Sequence, residues 1–109
     1  MKQINAFVHP HRITAVTDAL RDSGMCDITS GIGCSHLTVS TVQRLYTSAD
    51  PHQQHYSVEL AEPVVAEMKL ELICDDNLAE PLQQLIVQAA RPGTGWVFIS
   101  DIQSATKVP

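Results

Sequence analysis

Apolar and charged side chains alternate at Met68-Lys69-Leu70-Glu71-Leu72-Ile73-Cys74, and within a few residues an apolar stripe at helical spacing begins, Leu78, Leu82, Leu85, Ile86 and Ala89. A period of two followed by a period near 3.6 specifies a half-buried strand and then a helix that shares its apolar side. After Arg91-Pro92-Gly93-Thr94-Gly95 comes a short apolar run, Trp96-Val97-Phe98-Ile99, which reads as a further strand. The first half of the chain has the same order. Ile4, Ala6 and Val8 alternate with polar neighbours until Pro10 stops the strand. Ile13, Val16, Ala19 and Leu20 then share one helical face, and Gly24 stands where a left-handed C-terminal cap belongs. Residues 25–32 read as the second strand, loosened at its far end by Gly31 and Gly33.

Between these halves, residues 34–64 are polar and without a strong period, and read as one long loop. Loops longer than roughly 12–15 residues in a compact domain usually carry function or are disordered. At the second helix, Asp75-Asp76-Asn77 offers N-caps, Asn77 with Glu80 approximates a capping box, and Pro81 must fall in the first turn. The order is therefore β-α-β, loop, β-α-β. Right-handed crossovers with interleaved halves make this an α+β, ferredoxin-like βαββαβ domain spanning residues 1–109, a four-stranded antiparallel sheet with two helices on one face. The other face must be polar or covered, and oligomerisation covers it.

Composition narrows the function. The net charge is −5 with only 7 lysines and arginines, so no basic patch for nucleic acid is expected. No segment approaches the roughly 18 apolar residues of a membrane span, and Met1-Lys2-Gln3-Ile4-Asn5 has no apolar run of a secretory signal, which points to a cytoplasmic protein without membrane insertion. The three cysteines, Cys26, Cys34 and Cys74, are odd in number and argue against a disulfide framework; Cys26 and Cys74 read as small buried hydrophobes. No Ser-His-Asp order, His-Glu-x-x-His or Cys-x-x-Cys is present, so no enzyme activity is expected.

Met1-Lys2, Ile4, Ala6, Val8 and Pro10, then Val16, Ala19-Leu20, Gly24, Ile28-Thr29, Gly31 and Gly33, followed by Lys69-Leu70-Glu71-Leu72, Ile86-Val87-Gln88-Ala89-Ala90-Arg91 and Gly93-x-Gly95-x-Val97-Phe98-Ile99, resemble the PII signalling proteins in order and spacing. The resemblance implies a homotrimer that binds a small effector, often an adenine nucleotide, in clefts between subunits. It also implies a T-loop, at about residues 34–64, that docks on a protein partner such as a membrane transporter, and a B-loop after the second helix that touches nucleotide phosphates. On that basis the effector-binding residues are Gly33, Cys34, Ser35, His36, Arg91, Gly93, Thr94 and Gly95.

The chain departs from the family pattern at both loops. Where PII proteins resemble Gly-Phe-Gly-Arg-Gln-Lys-Gly, this chain has Gly31-Ile32-Gly33-Cys34-Ser35-His36-Leu37, with Ser35 at the glutamine and His36 at the lysine. Where they resemble Thr-Gly-Lys-Ile-Gly-Asp-Gly-Lys, it has the shortened Pro92-Gly93-Thr94-Gly95-Trp96, without either lysine. Only Lys107 remains of the C-terminal cations, and Pro51 falls near the tyrosine that is often uridylylated. These departures weigh against sensing of magnesium-ATP with 2-oxoglutarate and leave the effector open, with ADP, AMP or a cyclic nucleotide compatible with the turn.

Gly93-Thr94-Gly95 can turn backbone N–H groups toward an anion, or be a plain helix-to-strand turn. His9, His11, Cys34 and His36 are metal-ligand types expected at one end of the sheet, which motivates the alternative of a divalent-metal or metal-tolerance protein of the CutA-like trimeric type. His52 and His55 read as solvated loop residues, Trp96 as core or subunit contact, and Asp75-Asp76 as a helix cap.

Overall fold

The computed structural model describes residues 1–27, 29–45, 54–57 and 62–109. β1 (Lys2–Val8) passes through a 3-10 turn at Pro10–Arg12 into α1 (Ile13–Asp22). β2 (Cys34–Leu45), β3 (Gln54–Ser57) and β4 (Glu62–Cys74) follow. A second 3-10 turn at Asp76–Leu78 leads into α2 (Ala79–Ala89), and β5 (Trp96–Asp101) completes the sheet. The strand order is β2-β4-β1-β5, all antiparallel, so the α+β, ferredoxin-like architecture is the one the sequence implies. The short β3 adds to β4 at Val64 and Val65, on the edge that β1 leaves free beyond Met68.

Alternation decides which face is buried. Ile4, Ala6 and Val8 of β1 and Leu70 and Leu72 of β4 are at most 1% exposed, and all face the helices. Val16 and Leu20 of α1 and Leu82 and Ile86 of α2 close over them. Each such side chain contributes about 1.5–3 kcal/mol on leaving water, so this one layer accounts for most of the fold's driving force. Gly24, at φ 75°, ends α1 as its position in the sequence implies. Gln83 Nε2 donates to the Val97 carbonyl at 3.0 Å and fixes α2 over β5. Among the described residues no helix is long and apolar enough to cross a membrane.

The opposite face carries an aromatic cluster. Phe7 and Phe98 meet edge-on at 6.1 Å, Trp96 stacks on Phe98 at 6.0 Å, and Lys69 Nζ lies 5.9 Å from the Phe7 ring centre. Trp96 is 66% and Phe98 50% exposed, so Trp96 takes no part in the chain's own core. Beside them Arg44 Nε contacts the buried carboxylate of Glu67.

Three local expectations are corrected. Residues 25–32 are not a strand. The Asp27 carboxylate accepts the amides of Thr29 and Ser30, at 3.0 and 3.2 Å, and Asp27 bridges back to Ile32, so the chain turns where a strand was expected. Hydrogen bonds from Ser30, chiefly, and from Thr29 hold the Asp27 carboxyl below its ordinary value, because they favour the charged form. Nor are residues 34–64 all loop: 34–45, 54–57 and 62–64 are strand, whereas 46–53, with His52 and Pro51, and 58–61 lie outside the described residues. The β-branched run Thr38-Val39, Thr41-Val42 was the missed strand signal. Finally, neither Asp75, Asp76 nor Asn77 caps α2 with its side chain; the Asp76 carboxylate takes the N-terminal ammonium of Met1.

Candidate functional site

The turn between α2 and β5 is held from both sides. At its start the Ala90 amide donates to the Ile86 carbonyl at 2.9 Å and the Arg91 amide to the Gln88 carbonyl at 3.4 Å. From the α1 side, Arg12 Nη2 donates to the Ala89 carbonyl at 2.8 Å, and its Nε is buried with no hydrogen-bond partner among the described residues. A helix C-terminus carries partial negative charge that repels anions, so the Arg12 guanidinium offsets the feature of this turn least suited to a phosphate. Gly95 packs against the Phe7 carbonyl so closely that a Cβ would collide with it. Gly93 lies beside the side chains of His9 and Arg12. A cavity of about 280 Å³ opens here, lined among others by Val8, Val87, Arg91, Gly93 and Gly95.

The expected effector residues do not converge within one chain. Arg91, Gly93, Thr94 and Gly95 lie at the end of the sheet where β1 finishes and β5 begins. Gly33, Cys34, Ser35 and His36 lie where β2 starts, with Cys34 opposite Cys74, which pairs in turn with Lys2 at the other end of β1. At about 3.4 Å per strand residue, the length of β1 separates the two groups by roughly 20 Å. β2 ends instead at Leu45, opposite Val64, so the connection to β4 leaves the sheet at the end that carries the turn. Arg44, paired with Glu67 at that exit, went unnoticed in the sequence because only the β2–β4 register brings the two together.

The proposed metal ligands separate in the same way. His9 and His11 stay together, ring centres 4.7 Å apart, and the His9 Nδ1 accepts the His11 amide at 3.0 Å. His36 and Cys34 are at the far end, and Cys34 is bonded to Cys26. Among the described residues no group of three or more His, Cys, Asp or Glu is placed to hold a metal ion. Their expected meeting at one end of the sheet depends on a second strand at residues 25–32, whereas the first strand after α1 begins at Cys34.

The expectation against disulfides is also corrected. Cys26 and Cys34 are joined, with Cα atoms 4.8 Å apart, and Cys74 is the free, buried thiol. An odd count leaves one cysteine over without preventing a pair. The turn at residues 27–33 folds the chain back and makes neighbours of positions 8 apart in sequence.

Comparison with known proteins agrees with this architecture. The family model for nitrogen regulatory protein P-II matches residues 1–108. Curated relatives include the nitrogen regulatory proteins P-II of Nostoc punctiforme, 25% identical, and of Rhodospirillum rubrum, 26% identical, each aligned over 99% of this chain and 91% of the relative. That of Synechocystis is 24% identical over the same shares. The metal-tolerance alternative of CutA type has no support in these matches. A match over nearly the whole chain, on a sheet of order β2-β4-β1-β5 under two helices, places this chain as a divergent member of the nitrogen regulatory protein P-II family.

Proposed function

We propose that the chain is a regulatory subunit, not a catalyst, that assembles as a cytoplasmic homotrimer, binds a small effector at the turn after α2, and controls a protein partner, a membrane transporter for instance, through the connection between β2 and β4. The observation that carries this reading is the cavity beside Arg91, Gly93 and Gly95. At about 280 Å³ it lies at the lower end of the usual range of ligand sites, roughly 300–1,000 Å³, and in the trimer proposed here a neighbouring copy would enlarge it. The exposed aromatic sheet face supports self-assembly. It sets Trp96, Phe98 and Phe7 beside the half-exposed Arg44 on the buried Glu67 carboxylate, and beside a buried Asn5 Oδ1 that has no partner among the described residues.

The effector is an adenine nucleotide of low charge: ADP, AMP or a cyclic nucleotide. Among the described residues Arg91 is the cation in the lining of the cavity, and no lysine lines it. A triphosphate needs more positive charge than that where water is partly excluded. Arg91, Gly93 and Gly95 line this site, with Thr94 in the same turn, and residues 33–36 reach it only if supplied by a neighbouring copy.

Light scattering at micromolar concentration should give three times the 11.9 kDa of one chain, and a monomer mass would overturn the assembly. Calorimetry should show ADP, AMP or a cyclic nucleotide binding more tightly than magnesium-ATP with 2-oxoglutarate. Arg91→Ala should weaken that binding about 10- to 100-fold, the effect of losing one charge-assisted hydrogen bond. Micromolar ATP binding strengthened by 2-oxoglutarate would refute the effector assignment.

A further inference from the structure

We propose that Cys26 and Cys34 form a reversible thiol–disulfide site, opened by a dithiol reductant, whose state sets the order of the first residues of β2.

Four observations carry this. The bond ties the turn after α1 to the first residue of β2, so it acts on one junction of the fold. A cavity of about 230 Å³, lined by Cys26, Cys34, Ser35, His36, Leu37 and Leu72 with Leu20 behind them, gives a small thiol a route to the sulfur atoms. The ladder is irregular immediately beyond the bond. His36 and Leu37 together oppose Leu72 in a bulge, and His36 sits at φ 56°, a left-handed conformation that a residue with a Cβ seldom adopts. A junction of this kind needs an external restraint, and the disulfide is one. Most of the large core side chains, Ile4, Leu70, Leu82 and Ile86 among them, lie outside the lining of this cavity, although both cysteines belong to the same buried cluster.

The third cysteine fits the same reading. Cys74 lies directly opposite Cys34 across the β2–β4 ladder and is 3% exposed. Burial, with help from Asp75, pushes its thiol above the ordinary value of 9.0. The thiolate is the form that attacks a disulfide, so Cys74 stays out of exchange although it is adjacent. In a cytoplasmic protein, as proposed above, a disulfide is generally transient or regulatory, and the cavity lined by this pair offers a reductant access to it.

The step balances as two-electron exchange. A thiolate of the dithiol attacks the Sγ of Cys26, which as a residue is 7% exposed against 2% for Cys34, and a mixed disulfide forms as Cys34 leaves as thiolate and takes a proton from water. The second thiol of the reductant displaces Cys26 as thiolate, which is protonated likewise. The reductant ends as a disulfide and the protein as a dithiol.

The full-length protein, oxidised with diamide or reduced with dithiothreitol, tests this by maleimide mass-tagging and by hydrogen exchange. Under native conditions dithiothreitol should free two taggable thiols, with Cys74 tagged only after denaturation, and diamide should restore the bond. Amides of residues 31–37 should exchange at least 10-fold faster in the reduced form, while those of β1 do not change. Cys26→Ser should exchange like the reduced form, and Cys74→Ser should cycle as the wild type does. The proposal is overturned if the bond opens only in denaturant, if diamide cannot form it, or if exchange at residues 31–37 is the same in both states.

Discussion

Gly33→Ala is expected to cost on the order of 3 kcal/mol of stability, and to do so from outside the apolar core. Gly33 has φ 80°, and a Cβ there would run into the Met25 carbonyl oxygen and meet Leu78 Cδ1 at 3.2 Å. The left-handed backbone alone costs a residue with a Cβ about 1–2 kcal/mol. Relieving the overlap adds a further amount of the size seen for overpacked cores, about 1–3 kcal/mol. The Gly33 carbonyl also accepts the Asp75 amide at 3.2 Å, so displacing it loosens the lead into α2 as well as the start of β2. Gly24→Ala is the control. Gly24 has a similar φ of 75° with nothing within 4 Å of the added Cβ, and so should lose only the backbone component. Urea unfolding of both variants at equal protein concentration decides it; equal losses would show that the contact with Met25 does not matter.

Leu82→Ala is expected to cost about 3 kcal/mol, within the 2–5 kcal/mol range for emptying a buried leucine site. Leu82 is fully buried between α2 and the sheet, in the cluster with Ile4, Leu70 and Ile86. The neighbouring sheet is fixed by its hydrogen-bonded ladder and cannot collapse into the space. In a domain of this size the loss should lower Tm by more than about 10 °C. Leu85→Ala, one turn on and only partly buried, should cost less than half as much. Thermal scans at a fixed concentration, necessary because assembly shifts Tm, measure both. A Leu82→Ala loss below about 1 kcal/mol, or one equal to that of Leu85→Ala, would mean that α2 does not seat as described.

Legibility along the chain followed the range of the interactions. Where one element's own periodicity holds the information, the sequence sufficed: β1, α1 from Ile13, the alternating stretch at residues 68–74, the stripe of α2 and the strand from Trp96 were all readable, and with them the α+β topology. Three turn features with a local cause were readable as well, the left-handed cap at Gly24 and the breaks after Pro10 and Ala90. Residues 25–45 were misread because competing short-range signals overlap there. Asp27 closes a turn through its own side chain, and the strand that follows is mostly polar, since its outer half lies at the edge of the sheet with little to bury.

The amino-acid order by itself thus determined the family-like architecture, the sheet face that the chain's two helices leave uncovered and the absence of cationic side chains at residues 92–96. Only the tertiary structure decided which of the chemically interesting residues meet. Register along β4 put Cys34 against Cys74 and Arg44 beside Glu67, and strand direction sent residues 33–36 and 93–95 to opposite ends of the sheet. A turn of a few residues joined Cys26 to Cys34. The reason is that periodicity specifies which face a side chain occupies, whereas proximity between distant positions depends on register, and a slip or bulge of one residue changes every pairing beyond it.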